Sequence, residues 1–193
     1  MKNHILLAFG LLGCGLIHAQ QTRYYSDPQT KFKEAKAYFQ NGQYGLAYPL
    51  LRELRQSVRE TDVVNQPITV QEINYYSLAC ALMQDEARAE QEAIDYIDLE
   101  KNTARVQMMN YHLGEFYFRH SDFKKAVEHY ELSNIANLSN TDIATMKFHQ
   151  GYSYFTLQRF AQAKPLFNAI RSNREDPQLS RGKLLLRILS FPR

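Results

Sequence analysis

The twenty residues from Tyr111 to Tyr130, YHLGEFYFRHSDFKKAVEHY, set small and large side chains in an order that recurs further along the chain. Leu113, Gly114 and Tyr117 are followed by Asp122, Phe123, Ala126 and Tyr130; the second copy reads Gln150, Gly151, Tyr154, Arg159, Phe160, Ala163 and Phe167. The two glycines stand 37 residues apart. Each copy has apolar residues at helical spacing on both sides of a polar turn. A unit of that size cannot bury its apolar face alone, so the chain must stack such units on one another.

These residues resemble the tetratricopeptide repeat, a helix–turn–helix unit with small and large residues at fixed offsets. The resemblance implies an all-α fold, a right-handed α-solenoid of antiparallel helix pairs. About four repeats are expected, near residues 28–60, 69–101, 104–138 and 141–174. In the third and fourth, Gly114 and Gly151 let the first helix approach Ala126 and Ala163 of the second. Tyr117, Tyr130, Tyr154 and Phe167 then fill the space between helices.

The first repeat reads Phe32, Ala35, Tyr38 and Phe39, a turn at Asn41-Gly42-Gln43, then Tyr44, Ala47 and Leu51, with Glu34 where the family has leucine. Asp27 before Pro28 marks its start, since Asp caps free amides and Pro is tolerated at the first helical position. Its second helix is expected to run to about Arg59, followed by a polar connector from Thr61 to Pro67. Thr69 and Glu72 have capping-box spacing and restart the helix. In the second repeat Tyr75, Leu78, Ala79 and Leu82 fit a first helix. A second helix is expected from about Asp85 to Lys101, with Ala89, Ala93 and Ile97 out of register with the motif. Asn140 and Thr141 can cap the fourth repeat. Pro49 and Pro165 occupy equivalent places in AYPLL and AKPLF, and a shared proline inside a helix is a costly coincidence otherwise.

The chain opens with a leader. Lys2 and His4 precede an apolar run from Ile5 to Ile17, then His18, Ala19 and Gln20, which is the layout of a secretory signal peptide over residues 1–19. The run is shorter than the roughly 20 apolar residues a permanent span needs. Cleavage is expected between Ala19 and Gln20, with 20–27 as a lead-in. Leu11-Leu12-Gly13-Cys14 is a competing lipobox-like stretch that would place a lipid on Cys14, although Leu12 is large for its position and apolar residues follow. Once the leader is removed only Cys80 remains, so no intrachain disulfide can form. Cys80 lies between alanines with no base nearby and reads as a packing residue.

The net charge of +3 belongs to the chain's ends. Setting aside Lys2, Arg181, Lys183, Arg187 and Arg193 leaves 18 of 23 basic residues against all 20 acidic ones, a body of −2. A nucleic-acid surface needs clustered Lys and Arg on the folded body, so nucleic acid is not an expected partner. Aromatic content of 12%, from Tyr and Phe without Trp, is too apolar for a disordered chain and suits packed helices.

Residues 177–193 do not supply the fifth repeat that is due. Either they form a native amphipathic cap, as solenoid ends require, or they are a frame-shifted reading. Leu184 to Ser190, written in suitable codons and shifted by one base, becomes Tyr-Tyr-Tyr-Gly-Phe-Tyr, with its glycine at Arg187, 36 residues after Gly151. The second reading makes the chain the amino-terminal part of a longer array.

By motif position, the resemblance places Phe32, Lys36, Phe39, Tyr76, Met83, Tyr111, Glu115, Phe118, Arg119, Phe148, Tyr152 and Phe155 along a concave groove. Aromatic residues suit such a surface because they bury much area with few rotamers to freeze. The expected ligand is an extended peptide or amphipathic helix of another envelope protein. No metal-binding, phosphate-cradling or nucleophile motif appears. His112 and His149 share a motif position and read as structural; Asp95, Asp98 and Glu100 read as a solvated acidic face. The expectation is therefore a non-catalytic scaffold without cofactor, exported to the periplasm. A lipid-anchored outer-membrane assembly factor, or the repeat portion of a larger enzyme or signalling protein, are the alternatives.

Overall fold

A computed structural model describes residues 27–57, 70–134, 136 and 138–171. Among the described residues there are eight helices and no strand. They are α1 (Pro28–Gln40), α2 (Tyr44–Ser57), α3 (Val70–Met83), α4 (Ala89–Leu99), α5 (Thr103–Arg119), α6 (Phe123–Leu132), α7 (Asn140–Thr156) and α8 (Phe160–Arg171). The leader with Cys14, Ala19 and Gln20, the connector with Thr69, and the tail from residue 172 lie outside the described residues.

Side-chain caps start four of these helices. Asp27 accepts from the Thr30 amide at 3.2 Å, with Pro28 in the first turn. Asn102 accepts from Arg105 and Asp122 from Lys125, each at 3.1 Å. The cap of α7 is Ser139, whose hydroxyl accepts from the Asp142 amide at 3.1 Å; Asn140, expected as a cap, is the first helical residue. Ser139 is extended (φ −66°, ψ 159°), the conformation a capping hydroxyl requires. Helices α2 and α8 continue through Pro49 and Pro165.

The turns within the pairs are built alike. Gly42, Ser121 and Gln158 each follow a helix by two residues and take positive φ of 70°, 61° and 60°. The amides of Gln43, Asp122 and Arg159 each reach back five residues, to the carbonyls of Tyr38, Tyr117 and Tyr154, at 2.8–2.9 Å. This closes the orphan carbonyls at each helix end. The second pair begins its turn the same way, with Asp85 at φ 52° and Glu86 bonded to Ala81. It then adds Ala87 and Arg88, the latter at φ 70°, before α4 starts at Ala89. Helix α4 therefore starts four residues later than Asp85. Its register slip is a two-residue insertion: Ala79 to Ala93 spans 14 residues, where Ala35 to Ala47, Gly114 to Ala126 and Gly151 to Ala163 each span 12.

Each helix packs on its neighbours in sequence, and α1, α3, α5 and α7 also pack on one another in turn. No comparable packing joins the even-numbered helices among the described residues. The buried side chains form three clusters strung along the chain: one around Phe32, Leu51 and Ile73, one around Leu82, Met109 and Tyr130, and one around Phe148, Phe167 and Ile170. The odd helices are thus gathered on one side, and the site follows from that.

Candidate binding cleft

The odd helices enclose a cleft of about 500 Å³. Phe39 comes from the end of α1, Tyr76 from α3, Tyr111 from α5 and Asp142 from the first turn of α7, with Tyr44, Met108 and Leu138 between them. Three of the groove residues expected from sequence, Phe39, Tyr76 and Tyr111, meet here. Tyr44 and Asp142 were not foreseen: Tyr44 opens an even helix, and Asp142 reads as a helix-start residue.

Edge-on ring packing holds the aromatic wall. Phe39 lies 5.0 Å from Tyr76 and 5.4 Å from Tyr44, centroid to centroid. Lys36 bonds Glu72 at 3.2 Å and sits 5.2 Å from the centre of the Tyr76 ring, tying α1 to α3 at the cleft's edge. Behind the wall, Tyr75 bonds His112 at 3.0 Å. His112 is buried, and burial first, then the charge of Arg119, lowers its pKa to about 4. It is a neutral core imidazole, in keeping with the structural role expected for it.

Several expected groove residues sit elsewhere. Phe32 and Phe148 are 3% and 6% exposed and belong to two of the core clusters. Their rings fill the space between paired helices and offer almost no surface. Glu115 is also buried: it accepts from the Tyr130 hydroxyl at 2.7 Å and meets His149 at 3.0 Å. Phe118 stacks on His149 at 3.9 Å, covering that pair, and Tyr152 and Phe123 pack edge-on around Phe118. Phe155 packs on Phe160 at 5.5 Å. These rings form a second group apart from the cleft, so the expected ladder is split in two. Tyr152 is the member left exposed.

Arg119 is committed to a structural task. It donates to the Leu82 carbonyl at 2.6 Å and to Asp85 at 2.9 Å, clamping the turn between α3 and α4. Met83 lies against the same guanidinium at 3.4 Å. Glu100 also departs from expectation. Arg105 grips it with two donors at 2.8 and 3.0 Å, and Tyr96 donates at 2.6 Å, so its carboxyl is held at about 2. It is a latch between α4 and α5, whereas Asp95 and Asp98 are solvated as expected.

Among the described residues no cluster of His, Cys, Asp or Glu could hold a metal ion, and no helix is long and apolar enough to cross a membrane. No family model, curated protein or solved structure matches this chain.

Proposed function

We propose that this chain is a non-catalytic protein-interaction scaffold of the bacterial cell envelope, a right-handed tetratricopeptide-type solenoid whose cleft binds an extended peptide or a helix of another envelope protein. The observation that carries this reading is the cleft itself. Four odd-numbered helices contribute to one opening, walled by Phe39, Tyr76 and Tyr111, with hydroxyls and the carboxylates of Glu72 and Asp142 among its lining. Aromatic walls supply contact area and the polar edge supplies hydrogen bonds to a ligand backbone, the combination that peptide grooves use. The alternation of α1, α3, α5 and α7 on one side, with sequential packing throughout, supports the solenoid. Export rests on the leader, and the membrane enters only through a lipid on Cys14.

Selection of a displayed random-peptide library against the purified chain tests the reading. Ala104 is exposed and lines the cleft, so Ala104→Trp fills it without disturbing the core. Recovered peptides should bind this variant at least tenfold more weakly, while Leu46→Trp on α2 leaves them unaffected. Peptides indifferent to Ala104→Trp would place binding elsewhere. For localisation, the chain should be found in the periplasmic fraction with Gln20 as its first residue.

A further inference from the structure

The charge pattern around the cleft specifies its ligand more closely; this step rests on the reading of the cleft as a polypeptide groove. Each cation beside it already has an acid. Lys36 holds Glu72 at 3.2 Å, Arg105 holds Glu100 at 2.8 Å and Arg119 holds Asp85 at 2.9 Å. Asp142 does not follow this pattern. Its carboxylate accepts from the Ser139 hydroxyl at 2.7 Å and meets no cationic side chain among the described residues. Ser139 also caps the first turn of α7 by accepting from the Asp142 amide at 3.1 Å.

The rings beside Asp142 complete the picture. Tyr44 and Tyr111 line the same cleft, and their phenol oxygens have no hydrogen-bond partner among the described residues. Burial first, then the Asp142 carboxylate, raises the Tyr44 hydroxyl above its ordinary value. Burial, Glu115 and then Asp142 do the same for Tyr111. Both rings therefore lie within the field of the Asp142 and Glu115 carboxylates, with Arg119 opposing them at Tyr44. An ammonium or guanidinium group is attracted to the face of such a ring and to the charge beside it. An acidic segment would meet Asp142 as a like charge, at a cost.

We propose that the cleft takes a basic, extended segment of a partner protein, seating a lysine or arginine side chain over Tyr44 and Tyr111 with its charge against Asp142.

Two fluorescein-labelled ten-residue peptides, one alternating tyrosine with lysine and one alternating tyrosine with glutamate, test this on the full purified chain. The lysine peptide should bind at least tenfold more tightly, and added salt should weaken it. Asp142→Lys should abolish that preference. Asp98→Lys, an equal charge change at an exposed position outside the cleft, should leave it intact. The methyl signal of 13C-labelled Met108, which lines the cleft, should shift with the lysine peptide.

Equal binding of both peptides, or equal loss with Asp142→Lys and Asp98→Lys, overturns the proposal. So would a Met108 methyl that is already displaced without peptide and returns on Lys183→Glu with Arg187→Glu, because the chain's own basic tail would then be the occupant. If library selection yields cleft-dependent peptides without basic residues, this inference fails and the scaffold reading stands. If Ala104→Trp affects no ligand, the scaffold reading fails as well.

Discussion

The ring of Tyr130 lies directly on the bare Cα of Gly114. A β-carbon added at Gly114 would come within 2.6 Å of two ring carbons of Tyr130. Gly151 and Phe167 repeat the relationship one pair later, with the nearest ring carbon at 2.8 Å. Each glycine therefore admits an aromatic ring from the second helix of its pair, where the sequence pattern had pointed to the facing alanines. Tyr130 cannot slide aside freely, because its hydroxyl is bonded to buried Glu115 at 2.7 Å. Gly114→Ala should destabilise the chain by about 1–3 kcal/mol through overpacking. Gly151→Ala should cost less, since Phe167 has no such tether. Urea denaturation of the two variants measures the difference.

The three matching turns demand a left-handed residue and only one of them has glycine. An L-residue there carries a backbone penalty that glycine avoids, partly offset by the greater freedom glycine brings to the unfolded chain. Ser121→Gly and Gln158→Gly should each stabilise by about 0.5 kcal/mol on that balance. Gly42→Ala should lose about 1 kcal/mol from backbone strain alone, because nothing lies within 4 Å of its added β-carbon. Additive shifts in Tm across the three variants are the expected result.

His112 makes stability depend on pH. Its folded pKa of about 4 lies below the ordinary 6.5, so the unfolded chain binds the proton more readily. Its contribution is complete above pH 6.5 and is lost as pH falls toward 4, amounting to about 3 kcal/mol at most. Burial lowers the pKa of His129 as well, which adds loss of the same sign. Glu100, lowered from 4.5 to about 2, keeps its own contribution above pH 4.5 and loses it only as pH falls toward 2. His112→Gln should show a smaller drop in unfolding free energy between pH 7.5 and pH 5 than the parent chain.

Cys80 should be unreactive. It is fully buried, and burial pushes its thiol up to about 12, so almost no thiolate exists at neutral pH. An aromatic disulfide reagent should label it at the rate of unfolding in buffer and at once in denaturant. Fast labelling in buffer would show that the space between α1, α2 and α3 opens readily.

The helix pairs and their turns were legible because they rest on local offsets. Gly114, Tyr117, Ala126 and Tyr130 state a period that survives any detail of packing. The register of the second pair was legible only as an irregularity; the structure resolves it into the insertion of Ala87 and Arg88. Of the expected groove residues, the structure brings Phe39, Tyr76 and Tyr111 to one cleft and buries Phe32, Glu115 and Phe148, for a physical reason. Motif position fixes which helix face a residue occupies but not how deeply its neighbours cover it. Glu115 reads as a surface carboxylate until its partners, 15 and 34 residues away, are in place. Phe118 reads as a ligand-facing ring until His149 is stacked against it. Asp142 lies outside the motif positions, and only the ion pairs formed around the cleft leave it without a cationic partner among the described residues.

Site-specific photo-crosslinking in the native cells tests the central claim most directly. A benzophenone amino acid replaces either Gln40, which is exposed and lines the cleft, or Lys124, which is exposed on α6. The account predicts that Gln40 yields a discrete adduct with another envelope protein and that Lys124 does not. Adducts from Lys124 but none from Gln40 would contradict it.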